Sequence, residues 1–121
     1  MATFEINGKE HELKLTYKAI KYLNSKFEGG SYELIGNAIQ GDIVSFPLIV
    51  HAGLFHTGKD YTLKAVEERV EELIDNGELS LEGISKITDE VVTQSFFYKA
   101  TVDKMMKNNP EMKKALEQLR G

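Results

Sequence analysis

The most apolar stretch of the chain runs from Ile43 to Phe55, and it constrains everything around it. Leu48, Ile49, Val50, Ala52, Leu54 and Phe55 would cover most of the circumference of a helix. Such a helix has no face to give to water, so the rest of the chain must wrap it. Periodicity alone also allows a buried strand here. The start of the segment favours a helix. Ser45 reads as an N-cap, and Pro47 falls in the first turn, where its missing N–H costs nothing.

The wrapping elements can be read on both sides. Thr3-Phe4-Glu5-Ile6 alternates as a half-buried strand does, and Asn7-Gly8 suits a type I′ turn. His11-Glu12-Leu13-Lys14-Leu15 alternates again, which predicts a hairpin over about 3–15. An isolated hairpin is marginal in water, so its apolar face must rest on the helices that follow. Thr16 caps a first helix with a stripe of Tyr17, Ile20, Leu23 and Phe27. Glu28-Gly29-Gly30 ends it, and Ser31 opens a second helix carrying Leu34, Ile35, Ala38 and Ile39 up to Gly41. After the central segment, Thr62 caps a helix with Leu63, Val66, Val70, Leu73 and Ile74 inside, and Tyr61 can staple onto Val66. Glu67, Glu68, Glu71, Glu72 and Asp75 form the outer face, and Asn76-Gly77 ends the helix.

Ser80 starts a further helix with Ile84, Ile87, Val91, Ser95, Tyr98 and Val102 on one stripe. It runs to about Lys107 or bends near Thr88, where Asp89 and Glu90 suit a new N-terminus. Asn109 and Pro110 open a last helix with Met112, Ala115, Leu116 and Leu119 on one side. The expectation is an α+β fold, mostly α-helical, with a small N-terminal hairpin and five or six helices in one domain over 1–121. Residues 99–121 form a basic C-terminal helical tail that could move independently.

Charge sharpens that division. The net charge is −4. Residues 99–121 carry six basic side chains against three acidic ones, +3, while the remainder carries nine against sixteen, −7. The basic tail reads either as a solvated helix face or as a dock for an acidic partner. An acidic chain argues against wrapping nucleic acid. No apolar run reaches the roughly 18 residues of a membrane span, and Met1 to Asn7 lacks the pattern of a secretory signal. Cysteine is absent, which excludes disulfides, thiolate metal sites and cysteine nucleophiles.

Other chemistry fares no better. His51 and His56 are five residues apart, whereas ligand pairs on a helix want three or four. The glutamates of the acidic helix lie on an exposed face, where nothing would raise a carboxyl pKa toward neutrality. Gly58-Lys59 is followed by Asp60, not the Ser or Thr of a phosphate loop. The expectation is no catalytic residue, metal or cofactor. Helices near 31–40 and 45–56 could imitate a helix-turn-helix, but the second carries no Lys or Arg to face DNA. A small phage-encoded DNA-binding transcription regulator is the alternative on that ground.

Protein binding is what remains. In Phe96-Phe97-Tyr98 a helix cannot bury all three rings on one stripe; with Tyr98 inward, Phe97 points about 100° away. Phe97 is then either a further core contact or an exposed anchor of the kind enriched at binding hot spots. Met105, Met106 and Met112 are either gap fillers or adaptable apolar contacts. Phe96, Phe97, Met105 and Met106 are the candidate partner-binding residues.

The order of these elements resembles a phage tail assembly chaperone of a long-tailed phage or prophage with a Gram-positive host. The resemblance is carried by Phe4-Glu5-Ile6, Asn7-Gly8-Lys9 and Glu12-Leu13-Lys14-Leu15, then Tyr17-Lys18-Ala19-Ile20-Lys21-Tyr22-Leu23. It continues through Gly41-Asp42, Leu48-Ile49-Val50-His51-Ala52-Gly53-Leu54, Tyr61-Thr62-Leu63 and Ile74-Asp75-Asn76-Gly77, and covers residues 3 to about 98. It implies a non-enzymatic protein that binds the tape-measure protein and keeps it from aggregating while the tail tube assembles. It also implies a frameshifted longer form that recruits the tail tube protein, self-association, and action in the host cytoplasm without a place in the mature virion. Lys107-Asn108 and Lys113-Lys114 are the places where adenine-rich codons could slip.

Overall fold

The computed structural model describes residues 1–121. It opens with β1 (Thr3–Ile6) and β2 (Lys9–Glu12), paired antiparallel with Thr3 opposite Glu12 and Ile6 opposite Lys9. Asn7 and Gly8 both take positive φ, 54° and 77°, as the primed hairpin turn requires. The alternation buries Ala2, Phe4 and Ile6 on the way out and His11 and Leu13 on the way back. The return strand is shorter than the expected run to Leu15. The Leu13 N–H still donates to the Ala2 carbonyl at 2.9 Å, but the Lys14 N–H turns to the Gly53 carbonyl at 3.0 Å. The hairpin thus ends by joining a helix instead of extending itself.

The helices are α1 (Tyr17–Lys26), α2 (Gly30–Gln40), α3 (Ser45–Gly53), α4 (Leu63–Asp75), α5 (Leu81–Thr88), α6 (Phe96–Asn108) and α7 (Pro110–Arg120). A 3₁₀ turn at Phe55–Thr57 follows α3, and a π-turn at Asp89–Thr93 separates α5 from α6. Seven helices stand where five or six were expected, because the 80–107 segment breaks. Side chains of Thr16, Thr62, Ser80 and Asn109 accept the capping N–H of α1, α4, α5 and α7, as the sequence predicts. Two starts differ. The Gly29 N–H donates to the Glu33 carboxylate at 2.8 Å, and Ser31 lies inside α2 with its hydroxyl turned to Asn24. At α3 the capping oxygen belongs to Asp42, which accepts from the Ser45 N–H at 2.8 Å and its hydroxyl at 2.6 Å. A carboxylate serves better than a hydroxyl at that end of the helix dipole.

α3 is the central helix, packed against α1, α2, α4 and α5, with six of its nine residues buried. That burial also removes it as a recognition helix for a DNA groove. From α1 the core receives Ala19 and Leu23, followed by Phe27. Tyr17, expected on that stripe, is exposed: it lies about 160° round the helix from Ala19, which sets the inward direction. Ile43 and Val44 are exposed too, so the apolar run begins outside the core and enters it at Ser45. Gly41 ends α2 in the left-handed region, φ 66°, and a Cβ there would stand 2.2 Å from Ser85 Oγ on α5. The Thr88 hydroxyl donates to the Ala38 carbonyl at 2.6 Å and ties the C-terminal end of α5 to α2.

Polar links finish the body. The outer face of α4 is acidic and exposed, but Arg69 is not a bystander on it. Its guanidinium donates to the Glu5 carbonyl at 2.9 Å and carboxylate at 2.7 Å, and it pairs with Glu72. Tyr61 joins two elements: its hydroxyl pairs with His11 Nε2 at 2.7 Å, and its carbonyl accepts from His51 Nε2 at 2.8 Å.

Candidate partner-binding surface

The geometry of α6 follows from the break that precedes it. The π-turn closes with an i to i+5 bond, Gln94 N–H to the Asp89 carbonyl at 2.9 Å, which widens the helix by one residue. Ser95 then takes an extended backbone, φ −65° and ψ 147°, and α6 starts afresh. Tyr98 and Val102 point inward and are buried. The two preceding rings cannot follow them. Phe96 is 100% exposed and Phe97 60% exposed, Phe97 standing edge-on to Tyr98 with ring centroids 5.0 Å apart. The Tyr98 hydroxyl is buried near Ser31 without a hydrogen-bond partner.

Further along α6, Met105 and Met106 straddle the inward stripe and are half-buried against the core. Met105 lines an open cleft of about 490 Å³ between α2 and the α6–α7 elbow, with Gly36, Ile39, Met112 and Ala115 among its walls. Gly36 borders open space: a Cβ there would meet nothing within 4 Å. The four candidate residues therefore do not form one patch. Phe96 and Phe97 crown the N-terminal end of α6, and the methionines sit near its other end. Ile39, Met112 and Ala115 join Met105 in the cleft; their helical stripes were readable, but the elbow that brings them together was not.

Beneath α7 lies an ion pair that the sequence did not disclose. Asp89 is 3% exposed at its side chain and accepts from Arg120 Nη2 at 2.9 Å and Nε at 3.0 Å. Gln94 also donates to it at 2.7 Å, and the Thr93 hydroxyl rests against it. Burial opposes ionisation of Asp89, but hydrogen bonds from Arg120, Thr93 and Gln94 outweigh it and hold the carboxyl below its ordinary range. Donating to that carboxylate in turn pushes the pKa of the Arg120 guanidinium up.

The remaining polar groups serve the fold. The carbonyl of Tyr61 can only accept, so His51 carries its proton on Nε2, and its Nδ1 accepts a hydrogen bond from the Tyr22 hydroxyl, 2.9 Å away. Burial lowers the pKa of His51 despite that carbonyl; burial, then Lys9 and Lys59, lower that of His11. His56 Nε2 donates to the Glu12 carbonyl at 2.7 Å. No group of three His, Asp or Glu side chains converges as metal ligands would. No single helix is long and apolar enough to cross a membrane.

Hairpin, wrapped helix and the α6–α7 elbow define a mostly helical α+β domain. A family model described as phage tail assembly chaperone protein matches residues 3–107, and this chain belongs to that family. No curated protein and no solved structure matches it. The match covers the hairpin, the body and nearly all of α6, and stops before α7.

Proposed function

We propose that this tail assembly chaperone binds the tape-measure protein and keeps its apolar helical stretches in solution until the tail tube closes around them. The observation that carries the reading is α6 itself. One helix presents a bare aromatic pair at one end and a methionine-walled cleft near the other. Exposed aromatics are costly to leave in water without a partner, and methionine adapts to varied apolar surfaces. Family membership supplies tail proteins as the class of partner.

The protein acts without catalysis or cofactor, in the host cytoplasm, and does not remain in the mature virion. A frameshifted longer form recruits the tail tube protein, and several copies associate along one tape-measure chain. Residues 99–121 are the basic tail of a single domain.

Co-expression of a tape-measure segment with the wild-type chain or with Phe97→Ala tests the central claim. The wild type raises the soluble fraction of the segment, and Phe97→Ala, still folded by circular dichroism, raises it much less. An unfolded Phe97→Ala would make the ring a core residue and defeat the assignment.

A further inference from the structure

α7 is seated as a bound helix would be. Met112, Leu116 and Leu119 face inward at i, i+4 and i+7, the spacing of a helix lying in a groove. Leu116 is fully buried, and the other two are half-buried. At i+8, Arg120 reaches down to the buried carboxylate of Asp89. Open crevices of about 490 and 450 Å³ flank the helix, so neighbouring elements do not close over it. α5, Asp89 of the π-turn and α6 make the seat, and all of it but Asn108 lies within the family-matched residues 3–107, whereas α7 lies outside them.

We propose that α7 is a displaceable occupant of a helix-receiving groove. A partner helix with apolar residues at i, i+4 and i+7 and a basic residue at i+8 takes the same seat by pairing with Asp89. The inference rests on the proposed chaperone role only for the source of that helix, a tail protein. A tethered α7 competes at an effective concentration in the millimolar range. The apparent affinity of an incoming helix is therefore its intrinsic affinity reduced by the fraction of open seats.

The test uses the full chain and a labelled peptide of residues 109–121, with binding read by fluorescence anisotropy. Arg120→Ala in the chain loosens its own α7 and frees Asp89. The peptide binds that variant at least about tenfold more tightly than the wild type, since charge-assisted hydrogen bonds have been withdrawn from the competitor. A peptide carrying Arg120→Ala loses that gain. Leu119→Ala in the chain shifts binding the same way by a smaller factor. Equal affinity for wild type and folded variants, or no binding to either variant, overturns the proposal. So does unfolding of both variants by circular dichroism, which would make α7 integral to the fold. A wild-type dimer abolished by Arg120→Ala would also overturn it, with a second copy as the occupant. The assay contains no tape-measure protein, so failure of the tape-measure reading leaves its result standing.

Discussion

α3 and α7 are nearly the same length and are held in opposite ways. Six of nine residues of α3 are buried, against one of eleven in α7. α3 is gripped from four helices, and the hairpin hydrogen-bonds to its last turn. α7 rests on a thin apolar stripe and one latch, Arg120 to Asp89. Stability need not be uniform along a chain, and elements with little buried surface open first. The body is therefore a scaffold, and α7 is where local opening costs least.

Substitutions can break or sharpen that contrast. The largest effect is expected for Phe46→Ala at the start of α3, where the ring is fully buried. It should cost about 3–5 kcal/mol and shift the whole urea transition. Leu116→Ala, just as buried, should instead speed hydrogen exchange within α7 and move the global midpoint little. A large global shift from Leu116→Ala would erase the distinction between the two helices.

Gly41→Ala comes next. The left-handed backbone alone penalises a side chain by about 1–2 kcal/mol, and the new Cβ would meet Ser85. A melt unchanged from wild type would show that α5 is free to shift away from α2. Arg120→Ala should then weaken the seating of α7 by about 2 kcal/mol near neutral pH, read as faster hydrogen exchange within α7, as loss of a charge-assisted hydrogen-bonded pair does. Asp89 has a folded pKa below its unfolded one, so its stabilisation is present above the ordinary carboxylate range and lost as pH falls through the folded value. Wild type and Arg120→Ala should converge in acid; a gap that persists there would show that packing, not charge, seats α7.

A smaller pH effect is expected in the body. His11 and His51 have folded pKa values below their ordinary ones, so stability is full above the unfolded value and falls as pH drops through and below it. Thermal melts should decline between pH 7.5 and 5.5, and His51→Gln should flatten part of that decline. Smallest of all, Phe97→Ala should change stability by no more than about 0.5 kcal/mol, since its ring is mostly in water.

Much of the body was legible because its signals are local. Asn7-Gly8 specifies the hairpin turn, four capping side chains mark helix starts, and the Ile43–Phe55 run marks the centre. Local signals fail where a better partner competes, whether three residues away or across the fold. Asp42 outbids Ser45 at α3, and the Gly53 carbonyl diverts Lys14 from the hairpin. Arg69 reaches from the acidic helix to Glu5 while keeping its pair with Glu72, a link that no spacing in the sequence announces. Phe97 was open to two readings, and only the direction of Tyr98 and the restart of α6 left it in solvent.

By itself, then, the sequence determined the hairpin, the wrapped helix, the order of elements and the exposed acidic face. Those follow from periodicity and turn chemistry, which act over a few residues. Only the tertiary structure decided the π-turn, the pairing of Asp89 with Arg120 thirty-one residues away, and the cleft walled by Ile39, Met105 and Met112. Such contacts depend on where helices cross, and no local pattern encodes a crossing.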